Sequence, residues 1–415
     1  MCSAAPPPSR RLPRSPVPTR RDVLKLLAAS SVLATATTPA LASPAPAPGV
    51  LGAPGLPGVH KPLPPELFTL RGTNAETSFA ALRSTGALTP VSHFFVRNHT
   101  STPLLDERDW RLTVWGDGLR GQRPFTLTYG QLRSLPAVTR TCVVECAGNG
   151  RSFFGSQQGQ PATGTAWTLG GIGAARWRGA RLSDVLRLAG ISGDAVDVMP
   201  RGLDAPYVAD GVDHGRVRRP LPAAKALDDV ILAYEMNGAP LPYDHGFPVR
   251  VVVPAWVGIA SIKWVGDIEV STRPLQSLWN TQSYRLFGAA YPPGGSAPIT
   301  RQTIKSAWEL PLGAELAGGR AHRLTGRSWS AAAPVRHVDV STDGGAHWHR
   351  ARLTDRPRHG TWTRWSTTWR PKAEGPGHLL ARATDTAGNV QPPTTVPNTQ
   401  GYLFDAVVRH PVRVV

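Results

Sequence analysis

The chain has 415 residues, a length that suits two or three folded domains better than one. Hydrophobic residues make up 41% of the chain and charged residues 18%, which is typical of a globular protein and argues against a disordered one. The 42 glycines and 41 prolines favour turn-rich β structure over helix bundles. Composition therefore predicts a mostly β protein with some helix.

The formal net charge of the chain is +18. The balance stays basic without residues 1–42, which hold six of the 46 Lys and Arg residues and one of the 28 Asp and Glu residues. Such a balance can indicate nucleic acid, a membrane surface or an acidic protein partner, although a biased genome composition explains it more simply. No basic run alternates with aromatic residues, so we predict no nucleic-acid binding.

The first specific motif lies at the N terminus, where Arg20 and Arg21 precede an apolar run and an Ala-Leu-Ala sequence at residues 40–42. An arginine pair, an apolar stretch and a small-residue cleavage site in that order are typical of a twin-arginine export signal. We therefore predict a signal peptide over residues 1–42 and a mature protein that is periplasmic or extracellular. No run of 18 apolar residues occurs, which predicts no stable membrane insertion.

Three further segments differ in pattern. Residues 43–65 are rich in Pro, Ala and Gly and predict a flexible lead-in. Residues 66–294 mix alternating apolar stretches with helical spacing, as at residues 182–189, and predict an α+β domain. Residues 295–415 alternate as strands do, as at residues 335–341, and predict a small β-sandwich.

Beyond the predicted signal peptide, the sequence contains two cysteines, Cys142 and Cys146. The Val-Val pair between them favours a strand, and cysteines four apart on a strand lie too far apart to form a disulfide. Cys142 is predicted to be a small buried hydrophobic residue. Cys146 begins a tight turn that ends at Arg151 and can expose a thiolate beside a cation. Because a thiolate is a soft ligand, Cys146 is a candidate metal ligand.

Residues 146–151 (Cys-Ala-Gly-Asn-Gly-Arg) resemble the cysteine loop of the sulfite oxidases and their bacterial relatives. Other segments agree with that family in the same order, namely residues 94–99, 175–182, 234–238, 245–250, 261–264, 340–345 and 383–392. The similarity extends from about residue 70 to the C terminus. It implies an α+β fold in which a mixed sulfite-oxidase-type molybdopterin domain is followed by an immunoglobulin-like β-sandwich that mediates dimerisation.

The resemblance implies one molybdenum–molybdopterin cofactor per chain, with Cys146 as the single protein ligand to the metal. The implied cofactor-binding residues are Arg97, Asn98, His99, Cys146, Asp204, His245, Arg250 and Lys263. Arginine and lysine suit a phosphate, and aspartate can accept hydrogen bonds from pterin N–H groups. Considered alone, each of these residues would be assigned to a salt bridge or to a hydrogen bond in the core. The assignment to the cofactor rests on the family-like segments, which occur in the same order along the chain. Asp204 lies in a less similar stretch.

The resemblance also implies catalytic roles for Arg97 and Arg151, which match two arginines of the family's oxyanion pocket, and for Tyr284, which matches its active-site tyrosine. The family's sulfite oxidases place a third pocket arginine in an Asn-Leu-Arg-Gly motif, where this chain has Asn-Thr-Gln-Gly at residues 398–401. The catalytic set therefore includes Gln400, which is neutral but can still donate hydrogen bonds to an oxyanion.

The implied reaction is the oxidation of sulfite to sulfate by oxygen-atom transfer, with electrons passing to a separate carrier, for which we expect a cytochrome. The chain contains no C-x-x-C-H motif for haem attachment, so we predict no haem. We expect a homodimer from the resemblance of the C-terminal part. Two alternatives stay open: a molybdenum reductase of S-oxides or N-oxides, which Gln400 would suit, and a non-catalytic secreted binding protein built on the sandwich.

Overall fold

The structure is a computed structural model that describes residues 58–415. The predicted signal peptide and most of the predicted lead-in lie outside the described residues, so both stay predictions. Within the described part of the chain, no helix combines the length and the apolar character that a bilayer span requires.

Residues 58–415 contain 23 β-strands and five short α-helices, so strand outweighs helix as the composition predicts. The strands before residue 300 are β1 (Phe68–Arg71), β2 (Asn74–Thr77), β3 (Arg111–Trp115), β4 (Phe125–Thr128), β5 (Ala137–Glu145), β6 (Ile172–Arg181), β7 (Asp197–Gly202), β8 (Val208–Ala209), β9 (Val212–Asp213), β10 (Leu221–Pro222), β11 (Ile231–Met236), β12 (Ala239–Pro240), β13 (Arg250–Val252) and β14 (Val265–Ser271). The helices are α1 (Tyr129–Ser134), α2 (Ser152–Ser156), α3 (Leu182–Ala189), α4 (Ala223–Asp228) and α5 (Leu278–Thr281).

The strands after residue 300 are β15 (Lys305–Trp308), β16 (Ala314–Leu316), β17 (His322–Trp329), β18 (Val335–Ser341), β19 (His349–Arg350), β20 (Arg352–Leu353), β21 (Thr363–Trp369), β22 (Gly375–Asp385) and β23 (His410–Val414). Strand β18 covers the residues whose alternation predicts a strand. Helix α3 covers the residues with helical spacing, and its apolar side chains are buried.

One sheet before residue 300 holds the cysteine loop. Its strand order is β12–β11–β6–β5, with β13 also paired to β11, and its pairings are antiparallel. The long β5–β6 pair places Cys142, Val144 and Cys146 in one buried cluster and Val143 in another. The predicted alternation along this strand is therefore confirmed, and both cysteines are free thiols.

A second sheet before residue 300 has the order β10–β7–β14–β3–β4, in which only the β14–β3 pairing is parallel. Two shorter ladders complete this part of the described chain, β1–β2 near its start and the β8–β9 hairpin. The mixture of sheets and short helices agrees with the predicted α+β class.

The strands after residue 300 form two sheets, with the orders β15–β17–β21–β20 and β16–β23–β22–β18–β19. Apolar side chains from both sheets, such as Trp308, Trp365, Val338 and Leu379, lie in one buried cluster. A core between two sheets is the arrangement that the alternating pattern predicts. This part of the chain therefore encloses a hydrophobic core of its own.

A second apolar cluster joins the two parts of the chain. It contains Val143 and Phe154 from the cysteine-loop region together with Trp329, Trp362 and Phe404 from the C-terminal part. Burial of apolar surface stabilises the contact between the two parts by roughly 25 cal/mol for each Å² that is removed from water. The boundary near residue 295 stays a prediction, and this shared cluster joins the chain on its two sides.

Arg327 makes a buried polar link between the same two parts. Its Nε atom donates to Glu309 Oε1 at 2.6 Å, and neither side chain is more than 3% exposed. Its Nη2 atom donates to the carbonyl of Leu82 at 2.7 Å and its Nη1 atom to that of Gly86 at 3.1 Å. The early segment of the described chain is thereby fixed to β17 and to the residue that follows β15.

Arg327→Met should lower the free energy of unfolding by about 3–5 kcal/mol, because it leaves the Glu309 carboxylate buried without its cation. Adding Glu309→Gln should recover part of that loss. Arg364→Met is the matched control, since Arg364 also donates to an early carbonyl, that of Thr85, but its side chain is 32% exposed.

We expect the control to cost less than about 1 kcal/mol. Denaturant titration followed by tryptophan fluorescence measures all three variants, and equal losses for Arg327→Met and Arg364→Met would contradict the role of the buried pair.

Candidate active site

The loop after β5 presents Cys146. The Cys146 amide donates to the carbonyl of Gly171 at 2.8 Å, and the amide of Asn149 donates to the Cys146 carbonyl at 2.9 Å, which closes the turn. Gly150 has a φ of +96°, a conformation that other residues rarely adopt. A Cβ at Gly148 would lie 2.6 Å from the guanidinium of Arg151. The two glycines therefore let the loop turn and let Arg151 pack beside the cysteine.

A buried polar network supports this loop from behind. Lys305 Nζ donates to Glu145 Oε1 at 2.7 Å and to the carbonyl of Asn149 at 3.0 Å. The indole of Trp329 donates to the other Glu145 oxygen at 3.1 Å, and the Asn149 side chain donates to Glu145 Oε1 at 3.0 Å. Each hydrogen bond to a charged group in such a setting contributes about 1.5–3 kcal/mol. The residues on both sides of the cysteine are thus held by the C-terminal strands.

A cavity of about 740 Å³, counting its open mouth, lies on one side of the cysteine. Its walls include every residue that the resemblance implies for the cofactor: Arg97, Asn98, His99, Cys146, Asp204, His245, Arg250 and Lys263. These side chains come from segments far apart in sequence, between residues 97 and 263. The fold therefore brings the predicted cofactor-binding set together around one space, here named the inner cavity.

A second opening of about 1090 Å³, here named the funnel, is also lined by the cysteine. All four residues predicted to be catalytic line it: Arg97, Arg151, Tyr284 and Gln400. The inner cavity and the funnel share Arg97, His99, Cys146 and Tyr284. Cys146 therefore stands at the junction between a deep cavity and an opening through which a small molecule can enter.

The inner cavity holds basic side chains that form no ion pair with a carboxylate among residues 58–415. Arg250 donates to the carbonyls of His245 (3.1 Å) and Ser261 (3.0 Å) and lies 4.9 Å from the ring of Trp177. Burial lowers the pKa of Arg250 to about 10, so it stays charged at neutral pH. Burial, with Arg250 next in importance, holds the pKa of Lys263 well below its usual value. The cavity is therefore built to accept negative charge.

Two polar atoms in the inner cavity lack a hydrogen-bond partner among residues 58–415: Oδ1 of Asp204 and Nε2 of His245. Burial raises the pKa of Asp204 to about 6 and keeps the pKa of His245 well below its usual value. A buried polar atom without a partner is costly unless a ligand supplies one. These atoms and the unpaired cations fit a ligand that carries both N–H groups and a phosphate.

The same residues fit a metal bound through one cysteine. Within the described part of the chain, no three His, Cys, Asp or Glu side chains cluster as a metal site. A metal at Cys146 would take its other ligands from outside the chain, as a pterin that carries sulfur ligands provides. The donor set is therefore compatible with the implied molybdenum–molybdopterin cofactor.

His99 lies where the inner cavity meets the funnel, and its Nε2 atom accepts two hydrogen bonds. The donors are Arg97 Nη2 at 3.0 Å and the indole of Trp279 at 3.1 Å. Because Nε2 accepts hydrogen bonds, it carries no proton, and the proton of the neutral ring is assigned to Nδ1. Burial, followed by the charges of Arg97 and Lys263, holds the pKa of His99 well below its usual value. His99 is therefore a neutral imidazole of fixed orientation.

Tyr284 is 5% exposed and stacks on Tyr402, with ring centroids 5.0 Å apart and planes 13° apart. Its φ of +56° is unusual for a residue with a side chain. Burial raises the pKa of the Tyr284 phenol above its usual value, so the hydroxyl keeps its proton at neutral pH. Tyr284 can therefore donate a hydrogen bond to a group in the funnel.

Arg151 and Gln400 line the funnel but not the inner cavity. Arg151 donates from Nε to the carbonyl of Gln400 and from Nη1 to that of Thr165, both at 2.8 Å, and lies 5.2 Å from the ring of Tyr402. The Gln400 side chain donates to the carbonyl of Gln282 at 2.9 Å. The contact of Arg151 to residue 400 is through the backbone, so it does not require glutamine there.

Several residues of this site are absent from the sequence-based prediction. Asp244 fixes the start of the described chain, because its carboxylate accepts from the amides of His60 and Lys61 and from the hydroxyl of Thr102. Asp244 directly precedes the family-like segment 245–250 but lies outside it, so the resemblance did not identify its role. The sequence around Lys305 does not indicate its role, since its partner Glu145 is 160 positions away.

Two family models match the chain. The model described as oxidoreductase molybdopterin binding domain matches residues 99–279, and the model described as Mo-co oxidoreductase dimerisation domain matches residues 312–414. The first match lies inside the predicted cofactor domain at 66–294, and the second lies inside the predicted C-terminal unit at 295–415. The matched descriptions agree with the chemistry of the inner cavity.

Known proteins with similar sequences include two animal sulfite oxidases. The sulfite oxidase of Gallus gallus is 37% identical over 360 residues, which cover 80% of this chain and 74% of that protein. The mitochondrial sulfite oxidase of Mus musculus is 36% identical over 359 residues, which cover 80% of this chain and 63% of that protein. The chain thus spans less than two thirds of the length of the mouse protein.

Among solved structures, the sulfane dehydrogenase SoxCD from Paracoccus pantotrophus is similar to this chain, with a TM-score of 0.68 and 28% identity. The similarity covers 80% of this chain and 82% of that one. The similar fold therefore extends over most of the described residues.

Cys146→Ser should abolish turnover while the fold and the pterin are kept, because the residues predicted to bind the pterin are many whereas the protein sulfur at the junction is single. Cys142→Ser is the matched control: its pKa is raised to about 12 by burial, and the thiol lies in the core.

We expect the control to lose some stability and little activity per bound molybdenum. Metal analysis, circular dichroism and steady-state kinetics on both variants decide, and comparable activity of Cys146→Ser and the wild type would refute the assignment.

Proposed function

Since the chain belongs to the sulfite oxidase family of molybdopterin-dependent oxidoreductases, we propose that it oxidises sulfite to sulfate by oxygen-atom transfer. The observation that carries this proposal is the place of Cys146. One thiol stands where a cavity with unpaired cations meets a funnel that contains two arginines and a protonated tyrosine.

In this proposal the inner cavity holds the pterin. Arg250 and Lys263 would face its phosphate, and Asp204 and His245 would hydrogen-bond its polar edge, which gives partners to both unpaired atoms. When bound, the cofactor supplies the oxygen-transfer and two-electron chemistry. The protein supplies the Cys146 thiolate as a ligand and excludes water from the buried side.

The funnel binds the substrate. Arg97 and Arg151 carry fixed positive charges on its wall, which a sulfite dianion needs when it leaves water. The backbone carbonyls that bind Arg151 fix its guanidinium without neutralising its charge. Tyr284 donates its hydroxyl proton as a hydrogen bond toward the reacting group, and its raised pKa keeps that proton in place. No residue has to remove a proton from sulfite.

A reductase of S-oxides or N-oxides is the second candidate, and the neutral side chain of Gln400 favours it. The funnel has one cation fewer than the motif of the family's sulfite oxidases provides. An S-oxide or N-oxide carries no net charge and would bind through hydrogen bonds from Gln400, Arg97 and Tyr284. Substrate kinetics distinguish the two candidates.

We also propose how the enzyme operates in its surroundings. Residues 1–42 would direct twin-arginine export, after which the electrons pass to a separate cytochrome, with the basic surface aiding an acidic partner. The absence of bound haem stays a prediction from the sequence. The two C-terminal sheets would form an immunoglobulin-like unit that makes a homodimer, which the match to a dimerisation domain supports.

Protein purified after export from a host that makes the cofactor should contain about one molybdenum per chain together with a pterin. It should reduce an artificial one-electron acceptor when sulfite is added. Metal analysis, pterin fluorescence after oxidation and acceptor kinetics test this expectation. Folded protein with neither molybdenum nor pterin would rule the proposal out and would leave the non-catalytic binding protein.

Gln400→Arg should lower the KM for sulfite by about tenfold, because a hydrogen bond from a charged donor is worth about 1.5–3 kcal/mol against roughly 0.5–1.5 for a neutral one. The KM should also become more sensitive to salt, while kcat changes less. An arginine at this position can keep the hydrogen bond to the carbonyl of Gln282 and still present further donors.

Gln400→Met is the matched control, since it keeps the length of the side chain, adds no charge and removes the hydrogen bonds. Its KM for sulfite should rise. If neither the wild type nor Gln400→Arg turns over sulfite while the wild type reduces a neutral sulfoxide, the reductase replaces the oxidase.

A further inference from the structure

A buried arginine lies behind the funnel wall. Arg219 is 1% exposed and belongs neither to the lining of the inner cavity nor to that of the funnel. It forms no ion pair with any residue between 58 and 415. Burial lowers the pKa of Arg219 to about 10, and Tyr284 and Tyr402 oppose this change, so the guanidinium is charged at neutral pH.

A buried cation without a carboxylate costs free energy, and carbonyl oxygens must compensate for it. Arg219 donates from Nη1 to the carbonyl of Trp279, and from Nη2 to the carbonyl of Ile299 at 2.9 Å. A planar fork can bind two carbonyls at once in fixed geometry, whereas a lysine ammonium is a point charge on a flexible stem. Arg219 therefore joins the two ends of the segment 279–299.

Each end of that segment supports a different group of the site. Trp279 uses its indole N–H to bind Nε2 of His99 at 3.1 Å, which fixes the orientation of the imidazole. Ile299 uses its amide to bind the carbonyl of Tyr284 at 2.9 Å. One buried side chain thus connects, through two short paths, to His99 and to Tyr284.

Tyr284 needs such support because its backbone is in the left-handed region, with φ at +56°. For a residue with a side chain this conformation costs roughly 1–2 kcal/mol and persists only where neighbouring contacts fix it. The amide of Ile299 and the stacked ring of Tyr402 provide those contacts. If the segment relaxed, the phenol would leave its position in the funnel.

We propose that Arg219 is a positioning residue for the reaction: its two hydrogen bonds hold the segment 279–299 so that Trp279 orients His99 and Tyr284 keeps the backbone that aims its hydroxyl into the funnel. This inference rests on the proposed function, in which Tyr284 donates to the reacting group. It assigns Arg219 no contact with the substrate or the cofactor.

The test compares Arg219→Met, which removes the charge and both hydrogen bonds, with Arg219→Lys, which keeps the charge and can bind one carbonyl. Arg364→Met is the matched control, because it also removes an arginine that donates to a backbone carbonyl, and Arg364 lines neither the inner cavity nor the funnel. Each variant is purified with its cofactor, and kcat is divided by bound molybdenum. Melting temperature is measured in parallel.

Arg219→Met should lower kcat per molybdenum by about 10- to 100-fold, because small misplacements of a reacting group have effects of that size. The KM should change less, since Arg97 and Arg151 stay in place. Arg219→Lys should recover part of the rate, and Arg364→Met should match the wild type. If Arg219→Met does not fold, Arg219→Lys is compared with the wild type in its place.

A second measurement does not depend on turnover. In protein labelled with 5-fluorotryptophan, the resonance of Trp279, assigned by Trp279→Phe, should shift in the Arg219 variants and stay in place in Arg364→Met. An unshifted Trp279 resonance in both Arg219 variants overturns the inference. A kcat per molybdenum within twofold of the wild type, with only the melting temperature lowered, also overturns it, because Arg219 would then be structural.

The two proposals fail in different ways. A wild-type protein that turns over neither sulfite nor a sulfoxide counts against the proposed function alone. The Trp279 resonance then decides whether Arg219 holds the segment.

Discussion

The buried ion pair between Glu145 and Lys305 is the contact on which the site depends. Glu145 directly precedes the cysteine, and Lys305 begins the first strand of the C-terminal sheets. Neither side chain is more than 3% exposed, so either charge left alone would destabilise the protein by several kcal/mol. The cysteine loop can therefore reach its final form only when the C-terminal part is docked against it.

The C-terminal part also reaches the loop from its other side. The amide of Leu403 donates to the carbonyl of Ala147 at 2.8 Å, and Arg151 binds the carbonyl of residue 400. Both contacts involve the main chain at the C-terminal segment. A change of side chain at position 400 can therefore alter the charge of the funnel without dismantling its wall, which explains how glutamine is accommodated.

Local pattern was enough to predict the strand with Cys142 and Cys146 on one face, the helix α3 and the strand β18, because periodicity depends on neighbours in sequence. Resemblance, not pattern, supplied the residues that meet in the inner cavity. Lys305, Arg219 and Asp244 could not be predicted, since each acts through partners 60 or more positions away. Their roles exist only once the chain has folded.

The charges of the inner cavity link folding to the cofactor. Burial, and after it the charge of Arg250, lowers the pKa of Lys263, so the charged form of Lys263 is disfavoured in the cavity. An anionic phosphate would favour that charged form, and pterin donors would satisfy the buried oxygen of Asp204. A ligand that binds only the folded chain stabilises it in proportion to its affinity and concentration. We propose that this stabilisation favours a chain that folds around its cofactor first, which is the order that the predicted twin-arginine signal would require.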